Sequence, residues 1–257
     1  MSDVPSAMSL DLNSILKDWS HENGNIKVRK ITGLDGREKL QLRVDLGVLQ
    51  MEMIGRPDGQ RPHNCESLLD YHQKRAARAE QKGEAYELTP EQCAELQQEG
   101  IQYYHRYLSL FQINDFTGVV RDTQRNLDLF TFVTEHTDRD ELSWTLQQFR
   151  PYVLMMNTRA KASILLGEGK FAEAVAEIER GRDAIADFFQ HSNFPELISK
   201  SSEIAFLDEW LEEVKAKRPR SKLEIMEREM EAAIAKELYE RAAELRDAIK
   251  LLKTQDR

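Results

Sequence analysis

The chain has 257 residues, of which 40% are hydrophobic and 32% are charged, and its formal net charge is −9. This length is enough for one large domain or two small ones with a buried core. Phosphate backbones are bound mainly through clustered Lys and Arg side chains, so the negative charge argues against direct nucleic-acid binding. The composition instead suits a helical protein with many surface ion pairs.

Cysteine content and the N-terminal sequence bear on the compartment. Cys65 and Cys93 are the two cysteines and offer no disulfide framework, which favours a reducing environment. The chain begins Met1-Ser2-Asp3 without a basic segment followed by an apolar run, so we expect no ordinary signal peptide. No stretch approaches the roughly twenty apolar residues of a membrane span. We therefore expect a cytoplasmic protein without a membrane segment.

The first sixty residues predict a short helix followed by a small antiparallel sheet. Apolar residues recur near helical spacing from Leu10 to Trp19. Alternating apolar runs follow at 26–31, 40–46 and 48–54. Asp35-Gly36, a strong hairpin signal, separates the first two runs. We expect a tail and short helix in residues 1–25 and a three-stranded β-meander in residues 26–60.

Beyond Pro62 the pattern is almost entirely helical, and we expect a helical, repeat-like domain over residues 61–217. Thr89-Pro90 is a typical helix start, with Thr89 as the N-cap. Pro151 should kink or split the helix that contains it. The predicted helices cover 67–82, 89–112, 116–135, 139–166, 170–190 and 197–217.

Two stretches in this region resemble tetratricopeptide repeats. Gly169 to Ala174 (GKFAEA) places a glycine turn before an aromatic residue and then a small residue, and Asn114-Asp115-Phe116 looks like a weaker copy. The interval between Phe116 and Phe171 is too long for a regular repeat of about 34 residues. An ordinary helical bundle therefore remains an open alternative. If the resemblance holds, it implies a concave protein-binding surface.

The C-terminal residues 219–257 predict a two-helix hairpin. The first helix carries an apolar stripe at Leu223, Met226, Met230 and Ala233. In the second, Leu238, Ala242, Leu245, Ile249 and Leu252 recur at alternating intervals of four and three residues, which is coiled-coil spacing. Two helices this short bury little apolar surface by themselves, so such a hairpin is expected to pack against a partner surface.

The same hairpin closely resembles the UVR motif of UvrB and UvrC, which also occurs in several regulators of Clp proteases. The match covers about residues 220–254 and includes Tyr239-Glu240, Ala242-Ala243 and Leu245-Arg246-Asp247 in register, with Tyr239 in place of the usual phenylalanine. In the excision-repair proteins this hairpin pairs with a similar one on a partner. The resemblance therefore implies a protein partner, either another UVR-motif protein or a second copy of this chain.

Carried onto this sequence, the resemblance makes Tyr239 and Leu245 the anchors of the contact. Glu240, Arg246 and Asp247 would supply the polar specificity, and Ile249 continues the apolar contact. The alternative is that Arg246 and Asp247 hold the hairpin together while Tyr239 packs against the helices of its own chain.

No motif predicts an enzyme, so we expect no catalytic residues and no cofactor, with an unrecognised activity in the N-terminal region as the alternative. The phosphate loop, the dinucleotide-binding glycine pattern and the nucleophile elbow are missing from the sequence. Between positions 63 and 93, four His and Cys residues have metal-ligand side chains but lack the spacing of a zinc site, so no metal is expected: His63, Cys65, His72 and Cys93. The favoured hypothesis is an adaptor that docks through its C-terminal hairpin. The alternatives are an accessory factor in nucleotide excision repair that binds UvrB or UvrC, and a regulator of a Clp-type protease.

Overall fold

In the computed structural model, which describes residues 11–217 and 222–255, the chain is mainly α-helical with a small N-terminal antiparallel sheet. This confirms the predicted fold class. The chain divides into two compact units, Met1–Leu211 and Glu212–Arg257. The finer domain boundaries stay predictions. The first ten residues of the predicted N-terminal segment, and residues 218–221 at the predicted start of the hairpin, lie outside the described residues. Among the described residues, no helix combines the length and apolar character that crossing a membrane requires.

The N-terminal sheet is a three-stranded meander of β1 (Val28–Thr32), β2 (Glu38–Val44) and β3 (Gly47–Glu52), in the order β1-β2-β3. Leu40 on the central strand pairs with Lys30 on β1 and Met51 on β3. Leu40, Leu42 and Met51 are buried, so one face of the sheet contributes to the core.

The amphipathic helix predicted before the sheet is shorter than expected. Helix α1 is a single turn, Asn13–Leu16. Leu12 and Ile15 are exposed, so this turn buries no apolar face of its own. Leu10, which contributed to the predicted period, lies outside the described residues.

The helices after the sheet begin and end at recognisable signals. Ser67 caps α2 by accepting a hydrogen bond from the Asp70 amide, and Thr89 forms a capping box with Gln92 at the start of α3. Pro151 lies in the first turn of α6, which explains why the predicted helix over 139–166 is split into two. The helices of the first unit are α2 (Leu68–Gln81), α3 (Pro90–Gln112), α4 (Phe116–Glu135), α5 (Asp140–Gln147), α6 (Arg150–Gly167) and α7 (Phe171–His191), and α8 (Ser202–Lys217) follows a 3-10 turn at Pro195–Lys200.

Helices α3, α4, α6 and α7 pack successively against one another, and small residues set how closely they approach. A Cβ atom at Gly181 on α7 would collide with the side chain of Thr158 on α6. Asn114 and Gly169 adopt positive φ at the two short turns, where the chain reverses before Phe116 and Phe171. The tetratricopeptide-like arrangement remains a prediction, because close packing of this kind also occurs in ordinary bundles.

A buried ion pair joins the helices to the chain that leaves the sheet. Arg106 on α3 makes two hydrogen bonds to the carboxylate of Asp122 on α4, at 2.6 and 2.8 Å, and both side chains are almost completely buried. The same guanidinium donates to the carbonyl oxygens of Glu52 and Gly55, at 3.1 and 2.7 Å. Removing one partner of a buried ion pair is strongly destabilising, because the other charge is left uncompensated in the core. Through its bonds to the two carbonyl oxygens, Arg106 therefore holds the end of the meander against α3.

Candidate functional site

The C-terminal hairpin consists of α9 (Lys222–Ala235) and α10 (Tyr239–Gln255), which pack against each other. Helix α9 ends in a Schellman-type turn, in which the Leu238 amide donates to the Ala233 carbonyl oxygen at 2.9 Å. Glu237 occupies the left-handed position of this turn, with a φ of 59°. The turn reverses the chain, so α10 runs back along α9.

Four residues of the two predicted apolar stripes are buried in the hairpin. One belongs to the stripe of the first helix and three belong to the stripe of the second. Ala233, Ala242, Leu245 and Ile249 are all buried. Leu238, the first residue predicted for the stripe, instead lies in the turn before α10 and is 55% exposed. The side chains of Leu223 and Leu252 lie outside the described part of the structure.

Apolar side chains remain exposed where the two helices meet. Ile234 is the penultimate residue of α9, Leu238 is in the turn, and Tyr239 is the first residue of α10. All three are exposed, Tyr239 to 67% of its surface. We call Ile234, Leu238 and Tyr239 the turn surface. A concentration of exposed apolar groups around one turn is typical of a contact site.

The six residues predicted to bind a partner fall into two groups in the structure. Leu245 and Ile249 are buried, whereas Tyr239, Glu240, Arg246 and Asp247 are exposed. Tyr239 and Arg246 are seven residues apart, close to two helical turns, so they lie on the same face of α10. Glu240 and Asp247 share a neighbouring face for the same reason. The role of all six residues in partner binding stays a prediction.

The exposed charges of α10 pair with near neighbours on the same helix. Arg246 contacts the Asp247 carboxylate at 2.9 Å, and Arg241 contacts Glu244 at 3.0 Å. Exposed pairs of this kind contribute little to stability because water and salt screen them. Arg246 and Asp247 can therefore exchange their mutual contact for a partner's charges at small cost.

Comparison with known families bears on this hairpin alone. Residues 220–255 match the family model of the UvrB/uvrC motif, UVR. This confirms the resemblance at the C-terminus of the chain. The UVR match includes the whole of α9 and α10 and all six predicted contact residues, and it covers none of residues 1–219. No curated protein matches the chain, and no solved structure matches it either.

Ile234 and Leu238 were not among the predicted contact residues. Apolar periodicity assigned Leu238 to the buried stripe because the pattern cannot reveal a turn in left-handed conformation. A Schellman turn often packs the residue in the position of Leu238 against the preceding helix, so the sequence carried no signal for its exposure.

Three of the four residues with metal-ligand side chains, His63, His72 and Cys93, make packing contacts within the first unit. The Nδ1 atom of His72 lies 2.6 Å from the Tyr86 hydroxyl, and His63 stacks on Tyr71 with ring centroids 4.0 Å apart. Cys93 is buried in the helical core, and burial raises the pKa of its thiol. Within residues 11–217 and 222–255, no group of three or more His, Cys, Asp or Glu side chains is placed to hold a metal ion.

Proposed function

We propose that this chain is an adaptor, not an enzyme, and that it docks on a protein partner through its C-terminal UVR hairpin. The observation that carries the proposal is the exposed turn surface of Ile234, Leu238 and Tyr239 on a segment that matches the UVR motif. Apolar side chains exposed together gain free energy when a partner removes them from water.

The division of α10 into buried and exposed residues suggests how the contact is built. Leu245 and Ile249 hold the two helices together, and the turn surface supplies the apolar contact. Arg246, on the same face as Tyr239, and Asp247 beside it supply charges that select among partners. Electrostatic complementarity at the edge of an interface contributes more to specificity and association rate than to affinity.

The partner that fits best is another helical hairpin of the same kind, on a different protein or on a second copy of this chain. A two-helix hairpin offers an apolar strip flanked by charges, and a similar hairpin offers the same surface in return. In a two-fold symmetric dimer, the same surface of both copies would form the interface.

Affinity purification of the full chain tests the proposal. Leu238→Asp places a charge on the turn surface and should abolish capture of the partner, because an unpaired carboxylate would become buried in the interface. Leu34→Asp is the matched control, since Leu34 is an exposed leucine in the meander and should leave capture unchanged. If both variants retain the wild-type partners, the hairpin does not dock.

A second candidate function is an accessory role in nucleotide excision repair, favoured by the description of the matching motif. In that case the partner is UvrB or UvrC, and any contact with DNA is indirect, consistent with the net charge of −9. Purified UvrB and UvrC should then bind the wild-type chain and fail to bind Leu238→Asp. If neither UvrB nor UvrC binds the wild-type chain, this function is excluded and the adaptor proposal stands.

A further inference from the structure

The helical body contains an apolar cavity of about 440 Å³, and all of its lining residues lie between Gln97 and Val153. One stripe of α3 lines it with Ile101, Tyr104 and Tyr107, and Phe149 and Tyr152 approach from the start of α6. Its volume lies within the range of about 300–1,000 Å³ that is typical of small-molecule sites. None of its lining residues carries a charge.

Tyr107 is the most deeply buried of the three tyrosines that line the cavity, and Gln97 and Asn126 are the cavity's other polar lining residues. Its side chain is 1% exposed, and its ring packs at nearly a right angle against Tyr104, with centroids 5.5 Å apart. In the part of the chain that the structure describes, no residue forms a hydrogen bond with its hydroxyl. The hydroxyl oxygen is not fully buried, and Tyr107 lines the cavity, so this group is able to donate a hydrogen bond to a molecule bound there.

We propose that this cavity binds a small, uncharged ring compound with one oxygen acceptor, which receives a hydrogen bond from the Tyr107 hydroxyl. The aromatic side chains supply the rest of the contact. Tyr104 lies between Tyr107 and Tyr152, with its ring centroid 6.4 Å from that of Tyr152, so a planar ligand can pack among these rings.

The ionisation of the tyrosines agrees with an uncharged ligand. Burial is the main cause that raises the pKa of Tyr107, and the nearby hydroxyls of Tyr152 and Tyr104 raise it further. Burial also raises the pKa of Tyr152. Both phenols therefore stay protonated at neutral pH and can donate. A charged ligand would lose its hydration without an opposite charge in the cavity.

Titration of the full chain with three probes tests this site: acetophenone, which has a carbonyl oxygen, toluene, which has none, and benzoate, which is charged. Calorimetry or ligand-observed NMR should show saturable binding of acetophenone at one site, weaker binding of toluene and none of benzoate. Tyr107→Phe should weaken acetophenone binding about fivefold, the effect of one hydrogen bond, and leave toluene binding unchanged. Tyr71→Phe is the matched control, since Tyr71 on α2 does not line the cavity, and it should alter neither.

A second variant keeps the test decisive if Tyr107→Phe does not fold. Ile101 lies at the edge of the cavity and is 40% exposed, so Ile101→Trp should fold and should block entry of both neutral probes. Failure of acetophenone to bind the wild-type chain overturns the proposal. So does unchanged acetophenone binding by folded Tyr107→Phe or by Ile101→Trp. None of these results depends on the hairpin, so they leave the adaptor proposal untouched.

Discussion

At the scale of single residues, His72 on α2 links the stability of the helical body to pH. Its side chain is 2% exposed, and burial is the main cause that lowers its pKa from 6.5 to about 4, with Arg75 lowering it further. The unfolded chain therefore binds a proton at a higher pH than the folded chain. Stability is full above about pH 6.5 and falls as the pH decreases towards 4.

We expect the wild-type chain to lose about 2 kcal/mol more stability between pH 7 and pH 5 than a His72→Gln variant, which cannot titrate at this position. Glutamine keeps a hydrogen-bonding group near the Tyr86 hydroxyl. Urea unfolding at both pH values measures the difference. If wild type and His72→Gln lose the same unfolding free energy between these pH values, His72 accepts a proton in the folded state as readily as in the unfolded chain.

Glu237 is a second residue whose backbone conformation has a measurable consequence. Its φ of 59° disfavours a residue with a Cβ atom, whereas glycine adopts this conformation readily. Glu237→Gly should therefore stabilise the hairpin by about 1 kcal/mol and slow hydrogen exchange in α9 and α10. Glu231→Gly, in the interior of α9, should have the opposite effect, with a loss of about 0.5–1 kcal/mol. Faster exchange in Glu237→Gly would contradict the Schellman turn.

At the scale of elements, the packing of α6 against α7 depends on the absence of a side chain at Gly181. In Gly181→Ala the added methyl group would meet the β-branched side chain of Thr158, which has little freedom to move. We expect a loss of about 1–3 kcal/mol in unfolding free energy.

Gly167→Ala is the control for this substitution, because a Cβ atom there would meet no heavy atom within 4 Å. It should be neutral or slightly stabilising, since alanine favours helix more than glycine does. Urea unfolding of both variants separates the two cases. Equal stability of Gly181→Ala and wild type would show that α6 and α7 can move apart without cost.

At the scale of the whole molecule, sequence periodicity and capping signals predict most of the elements. Helix α4 occupies the predicted residues, Phe116–Glu135. Pro151 lies in the first turn of α6, next to the break after α5, because proline has no amide hydrogen to donate within a helix. The fold class follows from these local rules, because each depends on spacing or on the chemistry of one residue. The UVR hairpin could be identified for the same reason, since its motif is contiguous in the chain.

The features that escaped prediction depend on residues distant in the chain or on backbone conformation. Arg106 and Asp122 are ordinary surface charges by composition, and only the packing of α3 against α4 buries them as a pair. The tyrosine-lined cavity arises in the same way, because α3, α4 and α6 must first be assembled around it. In the candidate site, the exposure of Leu238 depends on the left-handed conformation of Glu237, which apolar spacing does not encode.

Site-specific photocrosslinking in the native cell tests most directly whether the turn surface of the UVR hairpin contacts a protein partner. A photoreactive phenylalanine analogue at position 239 replaces an exposed aromatic side chain with one of similar shape. The same analogue at position 34, in the meander, serves as the control. If the turn surface is the contact, position 239 should yield a discrete crosslinked protein that is missing from position 34. No adduct from position 239, or the same adducts from both positions, would contradict this contact.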